Sequence, residues 1–480
     1  MRVTVIGHSC LRVRTRAGTI LVDPWLFGSC YWRSWWHFPP SQEPDEEMLR
    51  PDWLYLTHHH FDHFHYPSMR RIDRSAKVLI PRFGVDVMAG EVTGLGFDAP
   101  TELVHGRVVD LGDGVRVASY QYGFDDTAFV IAEDDTVIVD VNDCKIRGRA
   151  LDQLVGDFPA PQLAFKSHSF AQSYPVLYDA ADPAQLSLVT AQTYIDDFHE
   201  VMAQLGPRHA IPFGSMVGFL HPDSRALNAH HVTPAALVDG VAERGGIPGT
   251  EVVPMAPGDV WDSSTGFERS DFDWYADRDR HLAELTEKAA PKIAARTAKE
   301  EGVTVEWVAF DQYFGRLVRE VPRLLARRLA PRPFVFHVPS DTERPYWWVS
   351  FRSRSVGRAA QLPDEASGLT TIPEAVLADA IRDRIVHMLH GGMRIHTSLE
   401  PDGVHSDLGF WGVVMIWEIG YLPLHRSGRR PRLWFSMARR WREFVQQARS
   451  IVSRNPVDHL AERFGADTDT DTDTDTDRDQ

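Results

Sequence analysis

Apolar residues run or alternate in short blocks through the first half of the chain, and each block ends in turn-forming residues. Val3-Thr4-Val5-Ile6 stops at Gly7, and Thr19-Ile20-Leu21-Val22 stops at Asp23-Pro24, with a glycine-bearing turn at Ala17-Gly18. Blocks of this length and punctuation read as paired strands. Trp53-Leu54-Tyr55-Leu56-Thr57 reads as a further, buried strand, and residues 115–119, 127–131 and 136–140 extend the series. Residues 186–205 carry a helical period, and 209–213 read as a strand entering a glycine turn. From 271 to 330 the pattern becomes helical and highly charged, with Pro291 and Pro322 as expected boundaries or kinks. Beyond it, 334–338 and 347–351 read as strands, and 373–382 as a proline-started helix. The order predicts an α/β domain over residues 1–262, a helical connecting region over 263–330 and a C-terminal α+β domain over 331–465.

Composition narrows the class. With 43% hydrophobic and 25% charged residues, the 480-residue chain has the balance of an ordinary globular protein. Its net charge is −16, and the last fifteen residues, with seven Asp and one Arg, contribute −6 of it. An acidic body argues against nucleic acid as the main partner, because little cationic surface is available to displace counterions. Three cysteines build no disulfide framework and favour a reducing compartment. With no signal-peptide pattern and no apolar run near the ~18 residues that span a bilayer, a cytoplasmic location is expected. The Asp-Thr repeat in 466–480 is self-repelling and expected to be disordered. Residues 429–444 interleave arginines with aromatics, as a membrane surface or an anionic substrate would require. The preferred reading is a charged helix packed on the body through Trp434, Trp441 and Phe444.

The strongest chemical signal follows the strand at Trp53. His58-x-His60-x-Asp62-His63 places four metal-capable side chains within six residues at a strand mouth. Imidazole suits Zn, Fe, Cu or Ni, and a carboxylate adds a hard oxygen ligand. Two ions are expected, with His58 and His60 projecting together while Asp62 and His63 serve a neighbouring ion. A dinuclear site also needs a bridging oxygen and further imidazoles. His168 and His221 are available, His105 less so, and Tyr120, Gln121, Asp125 and Asp126 are possible oxygen ligands or substrate contacts.

The phrases GHSCLRV, ILVDPW and LYLTHHHFDH, in this order, resemble the metallo-β-lactamase superfamily. The resemblance covers about the first half of the chain. It implies an αββα sandwich carrying one or two metals at its strand ends, and an Asp bridge after strand 136–140; Asp143 is preferred there over Asp140. Two departures stand out. The stretch Ser119–Asp126, where a third histidine is usual, has none, and the usual Pro-x-His is replaced by Pro212-Phe213-Gly214. His168 and His221 then become the replacements that complete the site. Within the superfamily, LYLTHHHFDHFHYPSMRRI, VIVDVNDCKI and IPFGSMVGFLHPDS are most similar to CMP-N-acetylneuraminate and UDP-N-acetylmuramate hydroxylases. These relatives imply iron, O2 activation and hydroxylation of an N-acyl amino sugar. They also imply a Rieske centre, whose Cys-x-His and Cys-x-x-His motifs this chain lacks. A separate ferredoxin or Rieske protein is therefore the expected electron donor. The strand–strand–helix order after 331 faintly resembles sterol-carrier-like domains.

Three functions compete on these residues. The favoured one is an iron-dependent monooxygenase acting on a bulky, acyl-bearing small molecule. Its two ions would be held by His58, His60, Asp62, His63 and Asp143 with His168 or His221, and Asp62 and His221 would be catalytic. The alternative is a zinc hydrolase of an ester, lactone or phosphodiester, like the L-ascorbate-6-phosphate lactonases or N-acyl-phosphatidylethanolamine phospholipases D, with Asp62 orienting the nucleophile. A degenerate scaffold is disfavoured by the intact His-rich motif.

Overall fold

The computed structural model describes residues 1–445 except Phe272, so the Asp-Thr tail lies outside the described residues. Two twisted sheets face each other over the first 268 positions. The first has eight strands in the order Gly266–Glu268, Val260–Asp262, Arg2–Gly7, Cys10–Thr15, Gly18–Val22, Trp53–Tyr55, Lys77–Pro81 and Thr101–Leu103. It is antiparallel up to Gly18–Val22 and parallel beyond. The second has seven strands, from Glu251–Val252 through His209–Phe213, Leu163–Ser167, Thr136–Asn142, Asp126–Glu133 and Val115–Tyr122 to Val109–Gly112.

The strand period of two explains the layers. Val3, Val5, Leu11, Val13, Ile20 and Val22 face Val115, Val117, Phe129, Ile131, Ile138 and Phe165 across one shared core. The rings of Tyr55 and Phe129 stack there 3.6 Å apart. The alternate residues of the second sheet (Ala118, Val130, Val139, Ala164) pack under helices Gly148–Asp157, Ala191–Leu205 and Pro234–Glu243. Those of the first (Ile6, Leu21, Leu54, Val78) meet Met48, Met69 and Val92 of three short outer helices. The result is the expected αββα sandwich.

Helix Arg278–Glu300 continues through Pro291, which the pattern reads as a boundary or kink and which is therefore no boundary. The lost backbone bond costs about 3 kcal/mol, and Leu282, Ala289 and Ile293 offset it by packing on Phe38 and Leu220. Pro322 does separate helices Trp307–Glu320 and Arg323–Leu329. The C-terminal region builds a six-stranded sheet whose outermost strand, Tyr178–Ala180, comes from the sandwich half and pairs in parallel with His396–Leu399. The two halves are thus joined by backbone hydrogen bonds as well as by the chain.

A buried polar network sits behind that junction. Tyr178 donates to Asp407 Oδ2 at 2.9 Å, so His390 Nε2, 3.1 Å from the same hydroxyl, is the donor to Tyr178. Burial pushes the Asp407 carboxyl up to about 7. A carboxyl raised in the folded state stays protonated while the unfolded chain ionises, so folding loses stability as pH rises from about 4 through about 7. Asp407→Asn removes that loss. The variant should gain about 2–3 kcal/mol over the parent between pH 5 and pH 8. Denaturant unfolding at the two pH values checks this, and a pH-independent difference would contradict it.

Candidate metal centre

The loop after Trp53–Tyr55 closes on itself, with Phe64 N–H donating to the His60 carbonyl at 2.7 Å. This tight turn brings His58, His60, Asp62 and His63 to one side. Two triads form, His8 with Asp62 and His63, and His58 with His60 and Asp143; in each, one ligand atom per residue lies within 4.8 Å of the others. Asp143 Oδ2 links them, 3.7 Å from His58 Nε2 and 3.6 Å from His63 Nε2. His63 Nε2 also lies 3.2 Å from Asp62 Oδ2, His8 Nε2 lies 2.9 Å from that same oxygen, and His58 Nε2 and His60 Nδ1 are 2.7 Å apart.

Hydrogen bonds behind the triads orient the rings. Asp23 is fully buried and accepts from Thr57 N (2.8 Å), Thr57 Oγ1 (2.6 Å), His63 Nδ1 (2.7 Å) and Asn142 Nδ2 (3.1 Å). Because the Thr57 hydroxyl donates to Asp23, it accepts from His58 Nδ1 at 3.0 Å. Both imidazoles therefore use Nδ1 as the donor to this frame and turn Nε2 into the cluster, the nitrogen that a metal would take in place of a proton. Tyr31 donates to Asp62 Oδ1 at 2.7 Å. Trp25 and Trp35 pack edge-on to the His8 ring, and the Trp35 indole donates to the Gly391 carbonyl of the C-terminal half.

The electrostatics follow from this crowding. Burial opposes ionisation of Asp143, but His58 and His63 hold its carboxyl well below the usual range. Burial also opposes a charge on His63, yet Asp62, Asp143 and Asp23 push its pKa well up. His58, desolvated and beside His63, is pushed well down. The backbone is strained here too. His8, Asp23, Tyr31, Trp32, Arg33 and Asn142 all have positive φ between 36° and 70°, a conformation costing on the order of 1–3 kcal/mol per non-glycine residue. Such strain concentrates where a rigid frame holds functional groups.

Of the residues expected from sequence, the structure brings together His58, His60, Asp62, His63 and Asp143. It does not bring in His168 or His221. His168 is buried behind the His8 side, its backbone N–H bonded to Ser215 Oγ and its ring centroid 6.2 Å from that of His231; burial lowers its pKa to about 4. His221 faces the C-terminal half, where its Nδ1 lies 3.4 Å from Asp223 and Arg394 ties Asp223 to Glu300. The catalytic part expected of His221 has no geometric support. Asp140, the rival to Asp143, is enclosed near Asp23, where burial and then the Asp23 charge push its carboxyl well up. Asp126 lies close enough to Asp143 for that charge to raise its own carboxyl beyond the effect of burial. Sequence reading missed His8, Asp23 and Tyr31. The phrases Gly7-His8-Ser9-Cys10 and Val22-Asp23-Pro24 were visible signals, since each sets a polar residue just past a strand.

Residues 2–152 match the beta-lactamase superfamily domain model. A putative Rieske 2Fe-2S iron-sulfur protein of Mycolicibacterium smegmatis is 32% identical over 250 residues, which are 49% of this chain and 47% of that protein. The chain thus aligns with about half the length of that relative. The cytidine monophosphate-N-acetylneuraminic acid hydroxylase of Mus musculus is 32% identical over 76 residues, 15% of this chain and 13% of the relative. Among solved structures, the isothiocyanate hydrolase of Delia radicum gut bacteria aligns at TM-score 0.40 and 15% identity, over 55% of this chain and 99% of that one. CmlA, a diiron beta-hydroxylase from Streptomyces venezuelae, aligns at TM-score 0.35 and 17% identity, over 53% and 52%. The six clustered side chains, His8, His58, His60, Asp62, His63 and Asp143, all fall inside residues 2–152, the stretch that matches the beta-lactamase superfamily domain model.

Proposed function

We propose that the protein is a metal-dependent monooxygenase that hydroxylates a bulky, acyl-bearing small molecule of the N-acyl amino-sugar type, with electrons from a separate protein. The observation that carries this reading is the six-residue cluster of four imidazoles and two carboxylates, with Asp143 between its halves. The donor set fits a pair of ions. His8, Asp62 and His63 would hold one, His58 and His60 the other, and Asp143 would be shared; Asp143 Oδ1 is buried and has no hydrogen-bond partner. Mixed imidazole and carboxylate ligation suits iron, which when bound supplies O2 activation. The chain's own residues orient and shield. Asp23 and Thr57 fix the ring orientations, Tyr31 holds Asp62, and Trp25 and Trp35 exclude water from the His8 side. Support for redox chemistry comes from the named hydroxylase and iron-sulfur relatives. Cys10, Cys30 and Cys144 are buried and free and lie in no Rieske motif, so in this reading the electrons come from a ferredoxin or Rieske centre outside the given sequence.

A zinc hydrolase is the second reading, favoured by the four imidazoles and by Asp62 being held from both sides by His8 and Tyr31. Metal analysis separates the two. Protein purified without added metal should hold close to two irons per chain and, after anaerobic ferrous loading, give a new absorption band on exposure to O2. His58→Ala should lose the iron and the band while keeping its circular dichroism. Stoichiometric zinc with no response to O2 would overturn the oxygenase, and esters, lactones and phosphodiesters would then be screened. An absence of either metal would overturn both readings.

A further inference from the structure

Helix Pro431–Arg439, with the turn at Arg440 and the helical residues 441–445 that follow it, has an inner and an outer face. Inside, Leu433 joins Val85, Ile419 and Tyr421 in a small core. Arg432 donates to the Phe83 carbonyl at 2.5 Å and pairs with Glu102; Arg439 donates to the His105 carbonyl, and Arg440 to that of Gly123, each at 2.7 Å. Three arginines thus fasten the segment to the sandwich. The outer face is different in kind. Trp434 is 57% exposed, Phe435 51%, Trp441 55% and Leu424 59%. The Trp434 indole donates to the Gly428 carbonyl at 2.6 Å, which holds its ring beside the turn that follows Leu424–Ser427. Sequence reading expects Trp434 and Trp441 to pack inward; the structure turns both outward and leaves the packing to Leu433 and the partly buried Phe444.

Charge separates this face from the rest of the molecule. Residues 424–442 contain seven arginines and no acid, in a chain whose net charge is −16. Arg429, Arg430 and Arg442 are exposed and make no ion pair among the described residues, while the Arg442 guanidinium lies 5.0 Å from the Trp441 ring centroid. Large aromatics exposed beside arginines match a bilayer interface, where rings sit at headgroup depth and guanidinium groups reach phosphates. The acidic remainder of the surface would be repelled by anionic lipid, so contact would be confined to this side. A symmetric contact between two copies would set these arginines against one another.

We propose that Leu424, Trp434, Phe435 and Trp441, with Arg429, Arg430 and Arg442, dock the protein on an anionic lipid surface. The inference does not depend on the metal chemistry. The test is co-sedimentation of the full chain with vesicles of phosphatidylcholine alone or mixed with phosphatidylglycerol, together with tryptophan emission. Binding to the mixed vesicles should exceed binding to the neutral ones by about tenfold or more, weaken with salt and shift the emission to the blue. Trp434→Ser with Trp441→Ser, and separately Arg429→Gln with Arg430→Gln, should each lower binding about tenfold and leave metal content unchanged. No binding at low salt, or binding that neither pair of substitutions alters, would overturn the proposal. So would light scattering showing a dimer that the tryptophan substitutions dissolve, since the face would then belong to a second copy.

Discussion

Asp143→Ala is expected to deprive both halves of the cluster of metal while the chain stays folded. The carboxylate is the shared member, 3.7 Å from His58 Nε2 and 3.6 Å from His63 Nε2, and it is 22% exposed at the mouth of the site. Without it, two imidazoles with centroids 4.1 Å apart face each other with no anion between them. Cation affinity should fall by more than the roughly 10–100-fold typical of losing a supporting hydrogen bond, because a ligand itself is gone. Metal content after gel filtration should therefore drop from about two ions towards none. The thermal midpoint should stay close to that of the metal-stripped parent, since the loop position carries no core packing. Retention of one tightly held ion would show that the two triads bind independently and that Asp143 does not couple them.

Asp23 should behave differently under two substitutions. Asp23→Ala leaves four buried donors without an acceptor: Thr57 N and Oγ1, His63 Nδ1 and Asn142 Nδ2. At about 1–3 kcal/mol for each unpaired group, the loss is on the order of 5 kcal/mol, and the midpoint should fall by on the order of 10 °C. Asp23→Asn keeps the shape and tolerates the positive φ of 44°. Its amide oxygen can still accept from Thr57 Oγ1, His63 Nδ1 and Asn142 Nδ2, but its Nδ2 then meets the Thr57 N–H, and the negative charge behind His63 is gone. A folded protein with metal affinity lowered about 10–100-fold is the expected result. Wild-type metal content in a folded Asp23→Asn would show that the Asp23 charge does not support His63 as a ligand.

How much of this was legible in the chain depends on distance along it. The strands around residues 3, 20, 54, 117, 129 and 138 were readable because each is a local apolar run whose face is set by a period of two, and the structure keeps all of them. His58, His60, Asp62 and His63 were readable for the same reason. Six consecutive positions at one strand end must share one turn, whatever the rest of the chain does. Asp143 needed a family resemblance as well, since spacing alone does not separate it from Asp140. The structure separates them through Asn142, whose φ of 53° turns the chain so that Asp143 leaves the sheet while Asp140 stays enclosed.

The remaining features were decided by contacts that no local pattern encodes. His8 meets Asp62 across 54 positions, Tyr31 meets it across 31, and Asp23 meets His63 across 40. Each is a single polar residue beyond a strand, and only the stacking of strands side by side brings the loop ends together. His168 and His221 looked equally available as ligands, yet one is enclosed beside His231 and the other is drawn into the Arg394 network. Trp434 and Trp441 face outward because the neighbouring Leu433, Arg432 and Arg440 already fill the inner contacts. The sequence alone thus determined the strands and the core of the metal motif, both products of short-range pattern, while the sandwich came from the resemblance its phrases carry. Tertiary structure decided which distant side chains complete and orient that motif, because their partners are chosen by packing rather than by spacing along the chain.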